Sequence, residues 1–264
     1  MDVVVCLKQV VDPELPIRDF AVDPGTQRQV RDGRPLVIST YDENALEVAL
    51  QLKDASGAKV KVLTLGPAAA VSEAIRLALA MGADEAIVVD DPRAPELSGA
   101  EKARTLAAAI RRIGPTDLIL TGCESADWAE RVVAPLLAED LGAACVTFVS
   151  RIEAGDGAPL VRRLVEDGHH LVEVRLPAVL SVTSDESNRP RLPKVKDIMA
   201  AKRKPVQTWS PGDLTPASAG DVGAGVEVRG VVVPERTSRC EFLTGEPVEQ
   251  VEALVQRLRD QKLL

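Results

Sequence analysis

The chain has 264 residues, 45% apolar and 27% charged, an ordinary globular balance that points to one or two domains with a sizeable core. Three Phe, two Trp and one Tyr (2% of the chain) leave little to stack nucleobases on, and a net charge of -8 repels a polyanion. Nucleic-acid binding is excluded on both counts, and two His with four scattered Cys offer little for metal or histidine chemistry.

The opening Met1-Asp2-Val3-Val4-Val5-Cys6-Leu7-Lys8 lacks a basic, then apolar, leader pattern. No run approaches the roughly 18 apolar residues of a membrane span, so no transmembrane segment and a cytoplasmic location are expected. Val3–Leu7 reads as a strand buried on both faces. A proline- and glycine-punctuated excursion leads to a short strand, Leu36–Ile38, and a helix over Glu43–Lys53 ending at Gly57. Strand Lys59–Leu65, helix Ala68–Ala80, strand Glu85–Val89, helix Ala100–Arg112, strand Asp117–Leu120, helix Asp127–Leu141 and strand Ala144–Val149 follow. Pro159–Val165 and His169–Arg175 flank the turn Glu166-Asp167-Gly168 as a hairpin, and Leu176–Val182 is one more strand. Ser184–Lys204 is polar and proline-rich. Thr208–Gly225, with Gly220, Gly223 and Gly225, reads as a linker, before a short strand Val231–Val233 and an amphipathic helix Val248–Leu258.

The β-α alternation predicts an α/β fold with a doubly wound parallel sheet, carrying a hairpin and a C-terminal extension. Such sheets bind ligands beyond the carboxyl ends of their strands, which nominates the loops after Leu7, Ile38, Leu65, Val89 and Leu120. Cys6 and Cys145 lie in apolar runs and are expected to be buried small hydrophobes; Cys123 follows a strand, and Cys240 lies far from the others. No nucleotide fingerprint is present, neither the P-loop nor the dinucleotide glycine motif. His169 and His170 sit beside the hairpin turn as surface residues, so no catalytic triad is expected. The loop Ser39-Thr40-Tyr41-Asp42 opens a helix, and Ser39, Thr40 or Asp42 is either a plain cap or part of an anion site at the helix N-terminus.

Several strings in order carry a resemblance. They are Val5-Cys6-Leu7-Lys8-Gln9-Val10-Val11-Asp12, Tyr41-Asp42-Glu43-Asn44-Ala45 and Ala78-Leu79-Ala80-Met81-Gly82-Ala83-Asp84, followed by Leu176-Pro177-Ala178-Val179, Asn188, Pro190-Arg191 and Ile198–Pro205. Over nearly its full length the chain resembles the β subunit of electron transfer flavoprotein, closest to the Fix-type and electron-bifurcating branch. The resemblance implies a Rossmann variant like that of the adenine nucleotide alpha hydrolases. It also implies a heterodimer with an electron transfer flavoprotein α subunit, and FAD shared with that subunit. A flavin dehydrogenase and a quinone reductase are implied as transient partners. In this subunit it implies AMP or a second FAD, held by Cys6, Leu7, Ser39, Thr40, Tyr41, Asp42, Leu65 and the segment Gly122–Ala134 (Gly122, Asp127, Trp128, Glu130, Arg131, Val132, Val133, Ala134). The family pattern in that segment is roughly G-x-Q-A-x-D-x-D-x-x-Q, and only Gly122 and Asp127 keep it. Trp128 is bulky where the family is small, Val132 replaces Gln, and Glu130 sets negative charge near a polyanion, with Arg131 as a possible phosphate partner.

The resemblance also divides the chain. Residues 1–204 form the nucleotide-binding-type domain with a partner-recognition loop at 183–199, and residues 205–264 form a linker and helix that pack on the partner subunit. Within the recognition loop, Asp185-Glu186-Ser187 stands where the family has an aliphatic anchor before the Asn, which implies an unusual partner or electrostatic docking. The expected role is a non-catalytic electron-carrier subunit, its share in flavin-based bifurcation open. Two alternatives remain: a scaffold subunit that binds no nucleotide, and a stand-alone adenine-nucleotide-binding module.

Overall fold

A computed structural model describes residues 1–153, 158–214, 233 and 240–264. Its elements run β1 (Asp2–Cys6), β2 (Gln9–Val11), β3 (Val22–Asp23), β4 (Arg28–Gln29), β5 (Leu36–Ile38), α1 (Thr40–Ser56), β6 (Lys59–Leu65), α2 (Ser72–Met81) and β7 (Glu85–Val89). There follow α3 (Gly99–Ile113), β8 (Leu118–Gly122), α4 (Val133–Leu141), β9 (Ala144–Glu153), β10 (Leu160–Val165), β11 (Gly168–Glu173), β12 (Ala178–Val182), α5 (Val195–Ala201), β13 (Val206–Trp209) and α6 (Pro247–Asp260).

Nine strands form one sheet in the order β11-β10-β9-β12-β8-β1-β6-β7-β13. The seven from β9 to β13 are parallel, and β10 and β11 add an antiparallel hairpin at the edge. This is the expected doubly wound architecture. Alternate side chains of each strand feed opposite layers, as a two-residue repeat demands. Val3, Val5, Val60 and Val62 pack under α1 and α2, whereas Val4, Cys6, Leu63 and Ile87 pack under α3 and α4. Because both faces are covered, the central strands are mostly apolar, with Thr64, Thr121 and Ser181 as buried exceptions near their carboxyl ends.

The chain runs outward from β1 through β6 to β7, then returns to place β8 on the other side of β1. The strand order therefore reverses between β1 and β8, and the crevice beyond their carboxyl ends is where such sheets take ligands.

The structure departs from the sequence reading in several places. β5 does not join the main sheet; it pairs antiparallel with β2, a strand hidden in the proline-punctuated excursion. The helix expected from Asp127 begins only at Val133, because Ala129 and Arg131 adopt φ of 50° and 60°, left-handed values that a right-handed helix excludes. Val206–Trp209, partly assigned to a linker, adds a parallel edge strand beside β7, and Trp209 buries its ring against α3. The stretch from Ser184 to Lys204 contains α5, too short for its period to stand out. Cys145 is exposed rather than buried, since β9 shows that face to solvent near its start; Cys6 is buried as expected. Val231 and Val232 of the expected late strand, and Gly220, Gly223 and Gly225, lie outside the described residues.

The chain divides into two compact units, Met1–Arg229 and Gly230–Leu264. In the second, α6 has a proline in its first turn and leaves Val248, Val251 and Leu254 exposed. Among the described residues no helix is long and apolar enough to cross a membrane.

Candidate functional site

Asp42 sits at the strand-order reversal. Its carboxylate accepts the backbone N–H of Lys8, just past β1, at 2.8 Å and the N–H of Gly122, the last residue of β8, at 2.7 Å. One side chain from the first turn of α1 thus ties together the loops after the two central strands. The approach requires glycine at 122: a Cβ there would lie 2.6 Å from Asp42 Oδ1 and 2.8 Å from both Asp42 N and Tyr41 Cβ. Burial drives the Asp42 carboxyl up to about 7, against the opposing pull of the Gly122 and Lys8 N–H groups.

Ser39 is fully buried, and its hydroxyl accepts the N–H of Ala126 at 3.1 Å rather than capping α1. None of the sequence-nominated capping side chains makes a cap bond. The turn is held instead by Ser39 N–H donating to the Lys8 carbonyl at 2.8 Å. The Lys8 ammonium reaches the Asp127 carboxylate at 2.6 Å and Ser125 Oγ at 3.4 Å. Burial raises the Asp127 carboxyl, but Lys8 outweighs this and holds it below the ordinary carboxylate range.

The segment 124–132 folds over this crevice. Ala129 N–H donates to Ser125 O at 3.0 Å, closing one turn, and Arg131 pairs with Glu124. The Arg131 guanidinium also stands 6.0 Å from the Phe148 ring centroid. Glu130 and Val132 lie against the first residue of α3: a Cβ on Gly99 would come within 2.7 Å of Glu130 Oε2 and 2.5 Å of Val132 Cγ2. Lys102, on the first turn of α3, is lowered by burial and by Lys8, while Glu130 and Asp127 pull it the other way. Trp128 is 49% exposed.

The sequence-nominated residues therefore gather at the carboxyl edge of the sheet, but unequally. Asp42 bonds Gly122 directly, and Ser39 and Asp127 join them through Lys8. Thr40, Tyr41, Trp128, Glu130, Arg131 and Val132 surround them with some exposure. Cys6 and Leu7 are buried in opposite layers; Leu65 packs on the Cys6 side and has no tie to the Ser39–Asp42 turn. Val133 and Ala134 begin α4, with Ala134 buried. Lys8, Lys102, Ser125 and Gly99 escaped the sequence reading. Lys8 carries a signal, since it is the first polar residue after the central strand. Lys102 carries none, because only tertiary folding brings α3 to this edge.

A second polar cluster holds the 183–191 turn. Asn188 is fully buried; its amide donates to the carbonyls of Ser150 at 2.9 Å and Thr183 at 2.8 Å, and its Oδ1 accepts from Asp185 N at 2.9 Å and Asn44 Nδ2 at 3.2 Å. Arg191 grips the buried Glu47 carboxylate at 2.8 and 2.9 Å and Asp54 at 2.9 Å. Asp185 is spent on the Ser187 N–H. The exposed apolar material lies after the Asn, at Leu192 (90%), Val195 (78%), Ile198 and Met199.

Comparison with known proteins matches the sequence that builds this site to a family. The electron transfer flavoprotein domain model matches residues 29–214. A subunit of the caffeyl-CoA reductase-Etf complex of Acetobacterium woodii, CarD, is 35% identical over the whole of both chains. The electron transfer flavoprotein subunit beta of Clostridium acetobutylicum is 35% identical over 97% of this chain and 96% of its own. FixA of Azorhizobium caulinodans is 35% identical over 81% of this chain and 76% of its own. The chain belongs to the electron transfer flavoprotein family, as a β-type subunit.

Proposed function

We propose that this chain is the β half of a heterodimeric electron carrier that works in the cytoplasm with an α subunit. The observation that carries this reading is likeness along the whole chain to subunits named as parts of such complexes. Electron transfer is the family's role, and a flavin belongs to its complexes. When bound, the flavin stores and passes the electrons, leaving position and electrostatics to the protein. In this reading α holds most of the FAD and β covers it with the carboxyl edge of its sheet. The Lys8–Asp42–Gly122 stitch and the Ser39–Ala126 bond keep that edge rigid.

Docking of a flavin dehydrogenase or a quinone reductase falls to the exposed segment Leu192–Met199. Its aliphatic side chains are anchored from behind by Arg191 on Glu47 and Asp54. An apolar patch beside an ordered turn suits a transient interface better than Asp185, whose carboxylate the turn consumes internally. The C-terminal unit then packs on α, with the exposed Val248, Val251 and Leu254 of α6 as the contact face, whereas Val206–Trp209 stays with this chain's own sheet. A share in flavin-based bifurcation requires a second flavin, in this subunit.

Co-expression with an electron transfer flavoprotein α subunit of the same organism tests the proposal. A stable complex with a flavin absorption spectrum is expected. A chain that purifies alone as a soluble monomer, with no flavin-bearing partner, would overturn it in favour of a stand-alone module.

A further inference from the structure

Building on the heterodimer reading, we infer that the chain's own carboxylates and side-chain acceptors occupy the anion-binding places at the β1/β8 crevice, so that this subunit retains neither AMP nor a second FAD. A nucleotide phosphate at such a crevice needs backbone N–H groups, cations without competing partners, and close approach of the backbone. Each requirement fails on a named residue.

The N–H groups of Lys8 and Gly122 both end on Asp42, and that of Ala126 ends on Ser39 Oγ. Two of the cations are matched in the same way: Lys8 faces Asp127 at 2.6 Å and Arg131 faces Glu124. Lys102 sits in no ion pair among the described residues; burial and Lys8 lower it, while Glu130 and Asp127 pull the other way. Helix N-termini favour anions, and here the first turn of α3 already has one: Glu130 Oε2 stands beside Gly99, where a Cβ would meet it at 2.7 Å. The first turn of α4 begins late and includes Pro135, which has no N–H to give. Asp42, Glu124, Asp127 and Glu130 thus line the crevice with four carboxyl groups, and a phosphate would compete with them for the same N–H groups and cations.

The fold supports this closure. The left-handed Ala129 and Arg131 turn segment 124–132 inward, so that Glu130 and Val132 rest on α3. Glu130 and Val132, though exposed to solvent on their outer side, cover the first residue of α3, where a phosphate would have to approach. The adenine-nucleotide requirements therefore do not fit this chain, and electron transport by the complex rests on the flavin at the α interface.

The experiment has two arms. First, the full complex with α is purified, denatured, and its released nucleotides are identified by chromatography and mass. One flavin per dimer and no AMP is the expected result; stoichiometric AMP or a second FAD overturns the inference. Second, the full-length chain is titrated with AMP by calorimetry. No saturation is expected for the unaltered chain up to millimolar AMP, and a Glu124→Gln, Glu130→Gln double variant should bind at least about tenfold more tightly. Circular dichroism checks its fold. Saturable binding by the unaltered chain, or no gain in the variant, overturns the assignment to these carboxylates. Failure of the chain to enter a flavin-containing complex would count against the carrier reading alone, because the titration still decides this one.

Discussion

Replacing Asn188 with leucine removes a buried amide of nearly the same volume. The loss is four hydrogen bonds, to Ser150 O, Thr183 O, Asp185 N and Asn44 Nδ2. Three of those partners are backbone groups in a site where Asn188 itself is fully buried. Each buried group left unpaired costs about 1–3 kcal/mol, and the apolar area gained by leucine returns about 1–2 kcal/mol. The net is a destabilisation of about 4 kcal/mol, a large share of the roughly 5–15 kcal/mol that holds a typical domain. With a urea slope of about 2 kcal/mol/M the unfolding midpoint falls by about 2 M. Asn188→Asp separates hydrogen bonding from shape. Its second oxygen would face the two carbonyls, so the acid must stay protonated to donate to one of them. That raised carboxyl makes Asn188→Asp lose stability as pH rises through the ordinary carboxylate range, whereas Asn188→Leu shows no added pH dependence. Urea unfolding at pH 5 and pH 8 measures both. A midpoint for Asn188→Leu within 0.5 M of the unaltered protein, taking the same slope, would refute the reasoning.

Three other outcomes are expected. Gly122→Ala forces a Cβ to within 2.8 Å of backbone and side-chain atoms of Asp42 and Tyr41, so unfolding experiments should show a loss of about 1–3 kcal/mol. For Asp42, the carboxyl rises from 3.8 to about 7 on folding. Between about pH 4 and pH 7 the unfolded chain has released this proton and the folded chain has not, so stability falls as pH rises and levels off above 7. The size is of order 4 kcal/mol; this slope should be absent from the Asp42→Asn curve and so appear in the difference between the two proteins. Val195→Asp, at a 78% exposed position, should leave stability within about 0.5 kcal/mol while slowing electron exchange with the dehydrogenase in a stopped-flow flavin assay.

How much could be read in advance depended on the range of the interaction. Val3–Leu7 read correctly as a buried parallel strand because it is an unbroken apolar run of strand length, Lys59–Leu65 because it alternates, and Glu85–Val89 because a short β-branched run follows a turn. The hairpin at Glu166-Asp167-Gly168 was equally plain, since its turn chemistry is local. Helix α4 was misplaced at its start because apolar spacing says nothing of the left-handed backbone at Ala129 and Arg131. Strands β2 and β13 were missed because three or four residues carry no period, and their pairing with β5 and β7 is a long-range choice.

The same division runs through the site. Sequence alone determined the sheet, the edge at which its loops collect, and the substitutions Trp128, Glu130 and Val132 that set this chain apart from its family. Composition had already described a scaffold with little reactive chemistry of its own. Only the tertiary structure decided where those substitutions go. The Glu130 carboxylate comes to rest on the first turn of α3, Asp42 takes the N–H groups at the strand reversal, and Lys8 is matched by Asp127. Charge pairing depends on distances of a few ångströms between residues as far apart in the chain as Lys8 and Asp127 (119 positions) or Glu47 and Arg191 (144), and no local pattern encodes them.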